Sequence, residues 1–377
     1  MRDNLIPVLF VTHAAKKGGA EQSLIHLMNY LDTARYRIFF ISPPNTAYLK
    51  EIRTEFVHIP LALGSIKKRL GFGYMETVLR IRAVVKRHGI AIIHANGWRA
   101  PWYIAPLRAL TNCKLVWHHR DHTHLKMFNK VLPRFFDQVI CISHFVAGAI
   151  ATDKKTVIYN GVDPELTLPT KSRELMEDGK LVIGTFGRIV EWKRYDRVVD
   201  AMKKLTDTGY TNWRLLIVGD ASVDGSQHYY HDLMHKVLDY GLEHQVDFYG
   251  YSPAPLEVMK ECDLTINFSL NEPFGRVIIE SMLAGTPVIV SDSGGAPEII
   301  HHTGGGLIVP DGNVDELADA IRSFYDRKVN HGELALSGYR NVMREFHMKT
   351  IARQVEHAYQ LLLHPGSVAS RSGEVTL

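Results

Sequence analysis

Two acids, Glu272 and Glu280, stand eight residues apart in LNEPFGRVIIESMLAGTP (270–287), with Pro273, Phe274 and Gly275 directly behind the first. The apolar run LTINFS (264–269) precedes them, so the segment reads as a buried strand, a tight loop and a helix from about Arg276 to Leu283. That arrangement puts Glu272 in a loop at the carboxyl end of a strand, where open α/β sheets bind ligands, and Glu280 one to two turns into the helix. Solvated charges are the plainer alternative. Against it, Glu280 is flanked by Val277, Ile278, Ile279, Met282 and Leu283, and an unpaired buried carboxylate is unfavourable. A pair of ligand hydroxyls would satisfy it.

A second cluster, GRIVEWKRYD (187–196), follows another apolar run and projects Arg188 and Lys193 from a strand-end loop and the helix after it. Cations there suit a diphosphate, the arginine as a fork and the lysine as a point charge, with surface salt bridges as the alternative. Near the start, HAAKKGGAEQ (13–22) places Gly18 and Gly19 between a strand and a helix, where bare backbone amides can approach an anion. It is neither a dinucleotide fingerprint nor a Walker loop, so a simple turn remains open. WHHRDHTH (117–124) collects His118, His119, Asp121, His122 and His124 at a strand end. Their spacing matches no common zinc pattern, and His118 and His119 should point to opposite faces of a strand. A hydrogen bond from one of them to a ligand is the better use.

The elements that position these groups alternate strand and helix twice. Apolar strands are expected at 6–12, 37–42, 90–95, 114–118, 138–143 and 156–159, then at 181–186, 213–218, 246–249, 264–269, 287–291 and 307–309. The fold class is therefore α/β, with two doubly wound, Rossmann-like domains in tandem and a cleft between their sheet edges. Residues 1–168 form the first and 169–345 the second, joined through a polar, strand-free linker after the turn-like Asn160-Gly161. An amphipathic helix follows at 346–363, then a disordered tail at 364–377. In the second domain, Gly219-Asp220 and Tyr251-Ser252 end strands in loops that can frame a base or ribose.

With 46% hydrophobic and 22% charged residues the chain has the composition of a soluble globular protein. IPVLFV (6–11) is too short for a signal peptide, and the expected location is the cytoplasm. Cys113, Cys141 and Cys262 lie far apart in or beside apolar runs, as reduced core thiols do. The net charge of +4 conceals an asymmetry: residues 1–175 carry 25 Lys and Arg against 12 Asp and Glu, or +13, leaving 19 against 28, or −9. Lys67, Lys68, Arg69, Arg80, Arg82, Lys86 and Arg87 supply much of the excess, beside a helix with Leu79, Val84 and Val85 on its apolar side. Such a face can dock on an anionic membrane or a phosphate-bearing acceptor, with a plain solvated helix face as the alternative. No RNA-binding signature accompanies it, so nucleic acid is not expected.

Taken together, GGAEQ, NGVD, GRIVEWKRYD, VGDA, EPFGRVIIE, AGTPVIVSDSGGAPEII and GGLIVPDGN resemble, in order and spacing over nearly the whole chain, the GT-B glycosyltransferases of family 4. These are retaining and metal-independent. The resemblance implies that Arg188 and Lys193 bind the diphosphate of a nucleotide-sugar donor, with UDP as the expected nucleotide. It implies further that Glu272 contacts the sugar hydroxyls, that Phe274 and Gly275 supply amides, that Glu280 holds the ribose, and that His118 or His119 contacts the sugar. Gly18 and Gly19 would close over the diphosphate from the first domain, the last helix would cross back to that domain, and Gly187, Gly219, Asp220, Tyr251 and Arg276 complete the donor-binding set. No cofactor or metal is implied. The implied acceptor is a glycan or lipid-linked hydroxyl in cell-surface polysaccharide assembly. A sugar-nucleotide epimerase and a non-catalytic sugar-nucleotide-binding protein share the scaffold. The family commonly has an apolar residue at position 276 and Glu-Ala-Met at 280–282, where this chain has Arg276 and Glu280-Ser281-Met282; these departures bear on the donor, not the scaffold.

Overall fold

A computed structural model describes residues 5–65, 72–123, 125–164, 175–177, 179–221 and 226–365. Lys67, Lys68, Arg69 and His124, most of the linker, and the tail beyond residue 365 lie outside them. The chain divides into two units, residues 1–161 with 348–377, and 162–347.

The first unit holds a seven-stranded, all-parallel sheet of β1 (Ile6–Val11), β2 (Tyr36–Ser42), β3 (Phe56–Pro60), β4 (Ile92–Asn96), β5 (Lys114–His119), β6 (Gln138–Cys141) and β7 (Lys155–Val157), in the order β3-β2-β1-β4-β5-β6-β7. The second holds six parallel strands, β8 (Leu181–Phe186), β9 (Trp213–Val218), β10 (Val246–Gly250), β11 (Leu264–Asn267), β12 (Val288–Ser291) and β13 (Gly306–Val309), in the order β10-β9-β8-β11-β12-β13. Central strands carry largely apolar stretches, such as VLFV in β1 and LVI in β8, because helices cover both faces of a parallel sheet. Each order reverses direction once, between β1 and β4 and between β8 and β11. Outside the carboxyl ends of those strand pairs the loops diverge and leave a crevice.

The last helix, Met348–Leu363, belongs to the first unit: Met348, Ile351, Val355 and Tyr359 are buried in one cluster with Val8, Phe10, Leu24 and Ile92. It does not start at Phe346 as its pattern suggests. A separate helix, His331–Glu345, ends at Phe346, whose carbonyl accepts from Val162 N at 2.8 Å, and the new helix begins two residues later. Three further expectations are corrected. Asn160-Gly161 is a packing site, not a turn. Asn160 is buried, and a Cβ on Gly161 would lie 3.0 Å from Met348 Cα, so glycine is what lets the last helix approach. On the helix Phe72–His88 the inward residues are Val78, Ile81 and Val85, while Leu79 faces out beside Met75. Finally, the strand expected through Ser143 stops at Cys141, because Ser143 Oγ accepts from Val146 N at 3.1 Å and caps the next helix.

Candidate functional site

In the second unit the crevice at β8 and β11 gathers most of the residues singled out above. β8 runs into Gly187 and Arg188, and a single 3₁₀ turn, Glu191–Lys193, precedes the helix Tyr195–Asp207. β11 runs into Ser269, Leu270, Asn271 and Glu272. The two loops are tied together by Leu270 N donating to Trp192 O at 2.8 Å. The loop after β12 closes on the other side: Gly295 N donates to Glu272 O at 2.7 Å and Asn271 N to Ser293 Oγ at 2.9 Å. Gly294, with φ of +74°, admits no side chain there, since a Cβ would stand 2.3 Å from Glu272 O. The glycine pair of SDSGGAPEII therefore serves to press one loop against the backbone of the acid.

Held in this way, Glu272 meets Lys193 across 79 positions of sequence, Nζ to Oε2 at 2.6 Å, with both side chains about nine-tenths buried. Asn267 Nδ2 reaches the same carboxylate oxygen at 3.5 Å, and the Lys193 ammonium lies 4.6 Å from the centre of the Trp192 ring. A buried, charge-assisted contact fixes both groups before any ligand arrives. Arg188, by contrast, is exposed. The two cations thus differ: one is immobilised by an acid, the other free to follow an anion.

Helix Arg276–Leu283 starts at Arg276, as expected, with Gly275 as its N-cap, and Glu280 lies on it. Glu280 is not the unpaired buried acid of the sequence reading. Arg276, one turn earlier, donates from Nη2 to Glu280 Oε1 at 2.6 Å, and the pair sits at the half-buried edge of a helix whose Ile278, Ile279, Met282 and Leu283 go inward. Phe274 is buried, its ring 6.1 Å from that of Phe346. Gly187 N donates to Val218 O at 2.9 Å and Gly219 N to Gly250 O at 2.8 Å, while Asp220 O accepts from Ile189 N at 3.0 Å, so the ends of β8, β9 and β10 form one floor. Tyr251, on its rim, is 71% exposed.

In the first unit Gly18 caps the helix Gly19–Tyr30, and its N–H donates to Glu21 Oε2 at 3.2 Å, the glutamate half of a capping box. Glu21 is buried, accepts from Thr12 Oγ1 at 3.3 Å, and has its pKa raised by burial. In this conformation the Gly18 amide serves the protein's own carboxylate. His118 and His119 do face opposite ways. His119 packs between Trp117 and Phe128, ring centres 4.6 and 5.2 Å away, and burial lowers its pKa to about 3. His118 joins a buried polar network that spacing along the chain did not reveal, at the carboxyl ends of β1, β4 and β5. Its Nδ1 lies 3.1 Å from His94 Nε2 and 3.2 Å from Arg120 Nη2. Arg120 Nε donates to Asn96 Oδ1 at 2.6 Å and Nη1 donates to Asn160 Oδ1, and Tyr359 Oη is 2.6 Å from His94 Nδ1. His94 and Asn96 sit inside the apolar-looking IIHAN strand, and only the β4–β5 register, Asn96 beside His118, brings them together. His122 stacks on Phe145 at 4.4 Å instead. No group of three or more His, Cys, Asp or Glu among the described residues could hold a metal ion.

Comparison with known proteins matches residues 169–337 to the family "Glycosyl transferases group 1" and residues 17–166 to "Glycosyltransferase Family 4". An uncharacterized glycosyltransferase of Methanocaldococcus jannaschii, MJ1607, is 29% identical over 60% of this chain, which spans 60% of that protein's length. The lipopolysaccharide core biosynthesis mannosyltransferase LpsB of Rhizobium meliloti is 26% identical over 65% of this chain and 70% of its own. Among solved structures, Anabaena HepE in complex with UDP and glucose superposes with a TM-score of 0.79 at 26% identity, covering 94% of this chain and 99% of that one.

Proposed function

Since the chain belongs to the group 1, family 4 glycosyltransferases of the GT-B fold, we propose that it moves a sugar, with retention of anomeric configuration, from a UDP-linked donor to a hydroxyl of a glycan or lipid-linked acceptor. The observation that carries this is the buried Lys193–Glu272 pair at the switch point of the second sheet. A nucleoside diphosphate leaving an anomeric carbon gains negative charge as the carbon gains oxocarbenium character. Preorganised cations and amide dipoles stabilise that charge most when they need not reorganise. Lys193 meets that condition, and exposed Arg188 adds a planar fork able to close on the phosphates; together they supply the charge without a metal. Glu272, beside Lys193, accepts hydrogen bonds from sugar hydroxyls, and Glu280 offers an acceptor for the ribose.

The likeness to HepE, whose structure holds UDP and glucose, supports the choice of nucleotide, and that to LpsB supports an acceptor in lipopolysaccharide-type assembly. For retention, a donor phosphate oxygen takes the proton of the incoming hydroxyl on the face the diphosphate is leaving. NMR of the glycosidic linkage formed from a donor of known configuration is the test: the same anomer is expected, and an inverted one refutes this mechanism.

Among the described residues no helix is long and apolar enough to cross a membrane. The outward Met75 and Leu79 lie among Arg80, Lys86 and Arg87 on one exposed helix surface, which supports peripheral contact with an anionic leaflet. Sedimentation with vesicles should rise with anionic lipid content; indifference to lipid charge removes this part.

A further inference from the structure

The turn after β4 presents an exposed aromatic ring beside a cation that has no counter-charge. Gly97, with φ of +74°, lets the chain reverse there. Its N–H donates to His118 O at 3.1 Å and its carbonyl accepts from Trp117 Nε1 at 2.9 Å, so the backbone that carries Trp98 and Arg99 is fixed to β5. Trp98 is 41% exposed. The Arg99 guanidinium lies 4.9 Å from the centre of the Trp98 ring and makes no ion pair or hydrogen bond among the described residues. His13, two residues past the neighbouring strand β1, sets its ring edge-on to Trp98 at 5.7 Å. β1 and β4 are the strands at which the first sheet reverses its order, so the three residues stand where that sheet leaves a crevice.

A surface arginine without a partner is ordinary. Arg99 is half-buried, and its Nε is buried with no hydrogen-bond partner among the described residues, as is Nδ1 of His13. A guanidinium is a cation with five donors, and taking it partly out of water without an acid or an acceptor is unfavourable. The face of an indole replaces part of the lost hydration. An oxyanion supplies both the missing charge and a pair of acceptors that match the arginine fork. With no internal bond to break, the guanidinium can swing onto such a ligand. His13 does not act as a second cation: burial and the Arg99 charge lower its pKa to about 4, so it is neutral near pH 7. Beside the fork, the open Trp98 ring offers a flat, electron-rich face on which the C–H face of a sugar can lie.

We propose that Trp98 and Arg99, with His13 beside them, form a recognition site within the first unit for a sugar that bears an oxyanion: the sugar ring lies on Trp98, and Arg99 takes the phosphate or carboxylate. That this sugar is the acceptor rests on the transferase reading above, which it deepens; binding itself needs no donor.

The test uses the full chain without nucleotide, titrated with glucose-6-phosphate, glucuronate and glucose while calorimetry and NMR of the histidine rings follow binding. Both anionic sugars are expected to bind and to raise the His13 pKa from about 4, because an oxyanion beside Arg99 offsets the charge that helps to hold it down. Glucose should do neither. Whichever anionic sugar binds tighter identifies the oxyanion as phosphate or carboxylate. Arg99→Gln removes a group that is bonded to nothing in the free chain, so it should keep the melting temperature while losing at least roughly tenfold in affinity for both. Trp98→Ala should lose roughly tenfold for the anionic sugars and leave affinity for inorganic phosphate unchanged, which isolates the contribution of the ring. Glucose bound as well as its anionic relatives, an Arg99→Gln chain with wild-type affinity, an unmoved His13 pKa, or no binding of either anionic sugar overturns the proposal. The expected binding without nucleotide release from any sugar nucleotide leaves the site standing and sinks the transferase reading instead.

Discussion

Replacing Glu272 by alanine is expected to lower kcat/KM by roughly a hundredfold or more and to destabilise the second unit by about 3 kcal/mol. Both effects follow from the same contact. With Glu272 gone, the Lys193 ammonium stays about nine-tenths buried without its carboxylate, and leaving one charge of a buried pair uncompensated is strongly unfavourable. The lysine then relaxes toward solvent and no longer stands where the proposed mechanism puts the charge of the leaving diphosphate. Glu272→Gln separates the two consequences. The amide keeps an acceptor for Lys193 and the bond from Gly295 N to the backbone but not the compensating charge, so part of the stability should return while turnover stays depressed. Urea denaturation and steady-state kinetics on the same preparations decide. An alanine variant within twofold of wild-type turnover would show that Glu272 is merely structural.

Acidification should unfold the first unit before the second. His94, His118 and His119 are buried, and burial holds each pKa below the ordinary 6.5. The unfolded chain therefore binds more protons than the native one below that value. Their contribution is complete above pH 6.5 and is lost as the pH falls through it; for His119 the loss continues down to about 3. The slope approaches about 1.4 kcal/mol per pH unit for each histidine, so roughly 3 kcal/mol disappears between pH 6.5 and 5.5. Glu21 and Glu356 act in the opposite sense. Burial raises their pKa, so their contribution is present below 4.5 and fades as the pH rises through the folded values. Hydrogen exchange followed by peptide mass spectrometry can watch the two units separately in one chain. His119→Phe, which suits the nest of Trp117 and Phe128, should remove one proton from the slope; exchange in the first unit that ignores pH across this range refutes the assignment.

Those two results depend on features of unequal visibility in the sequence. Most strands are legible because parallel sheets covered on both faces demand largely apolar runs, and Glu272 is legible because it follows such a run closely. β3 is not: FVHIP lies on a sheet edge, half-exposed, with a histidine and a proline in five residues. Leu79 reads as inward in the sequence because periodicity alone does not say which of two apolar stripes meets the sheet, whereas it is 49% exposed. Glu280 looked unpaired because its flanking residues are apolar, although its partner Arg276 lay one helical turn away. His94, Asn96 and Arg120 were missed for a different reason. Each lies in or beside an apolar strand, and only register across β4 and β5, with the last helix returning to the same core, makes them one network. Spacing along the chain singled out Glu272, Glu280, Arg188 and Lys193 one by one; that Lys193 and Glu272 form a pair is a property of the fold.

Nucleotide release from a UDP-sugar, compared between the wild-type chain and one carrying Arg188→Gln and Lys193→Gln, measures the central claim most directly. With both cations neutral and Glu272 intact, charge on the departing diphosphate is no longer met, and release in the presence of acceptor should fall by roughly a thousandfold or more while the chain stays folded. A folded double variant that releases UDP at the wild-type rate would contradict the account.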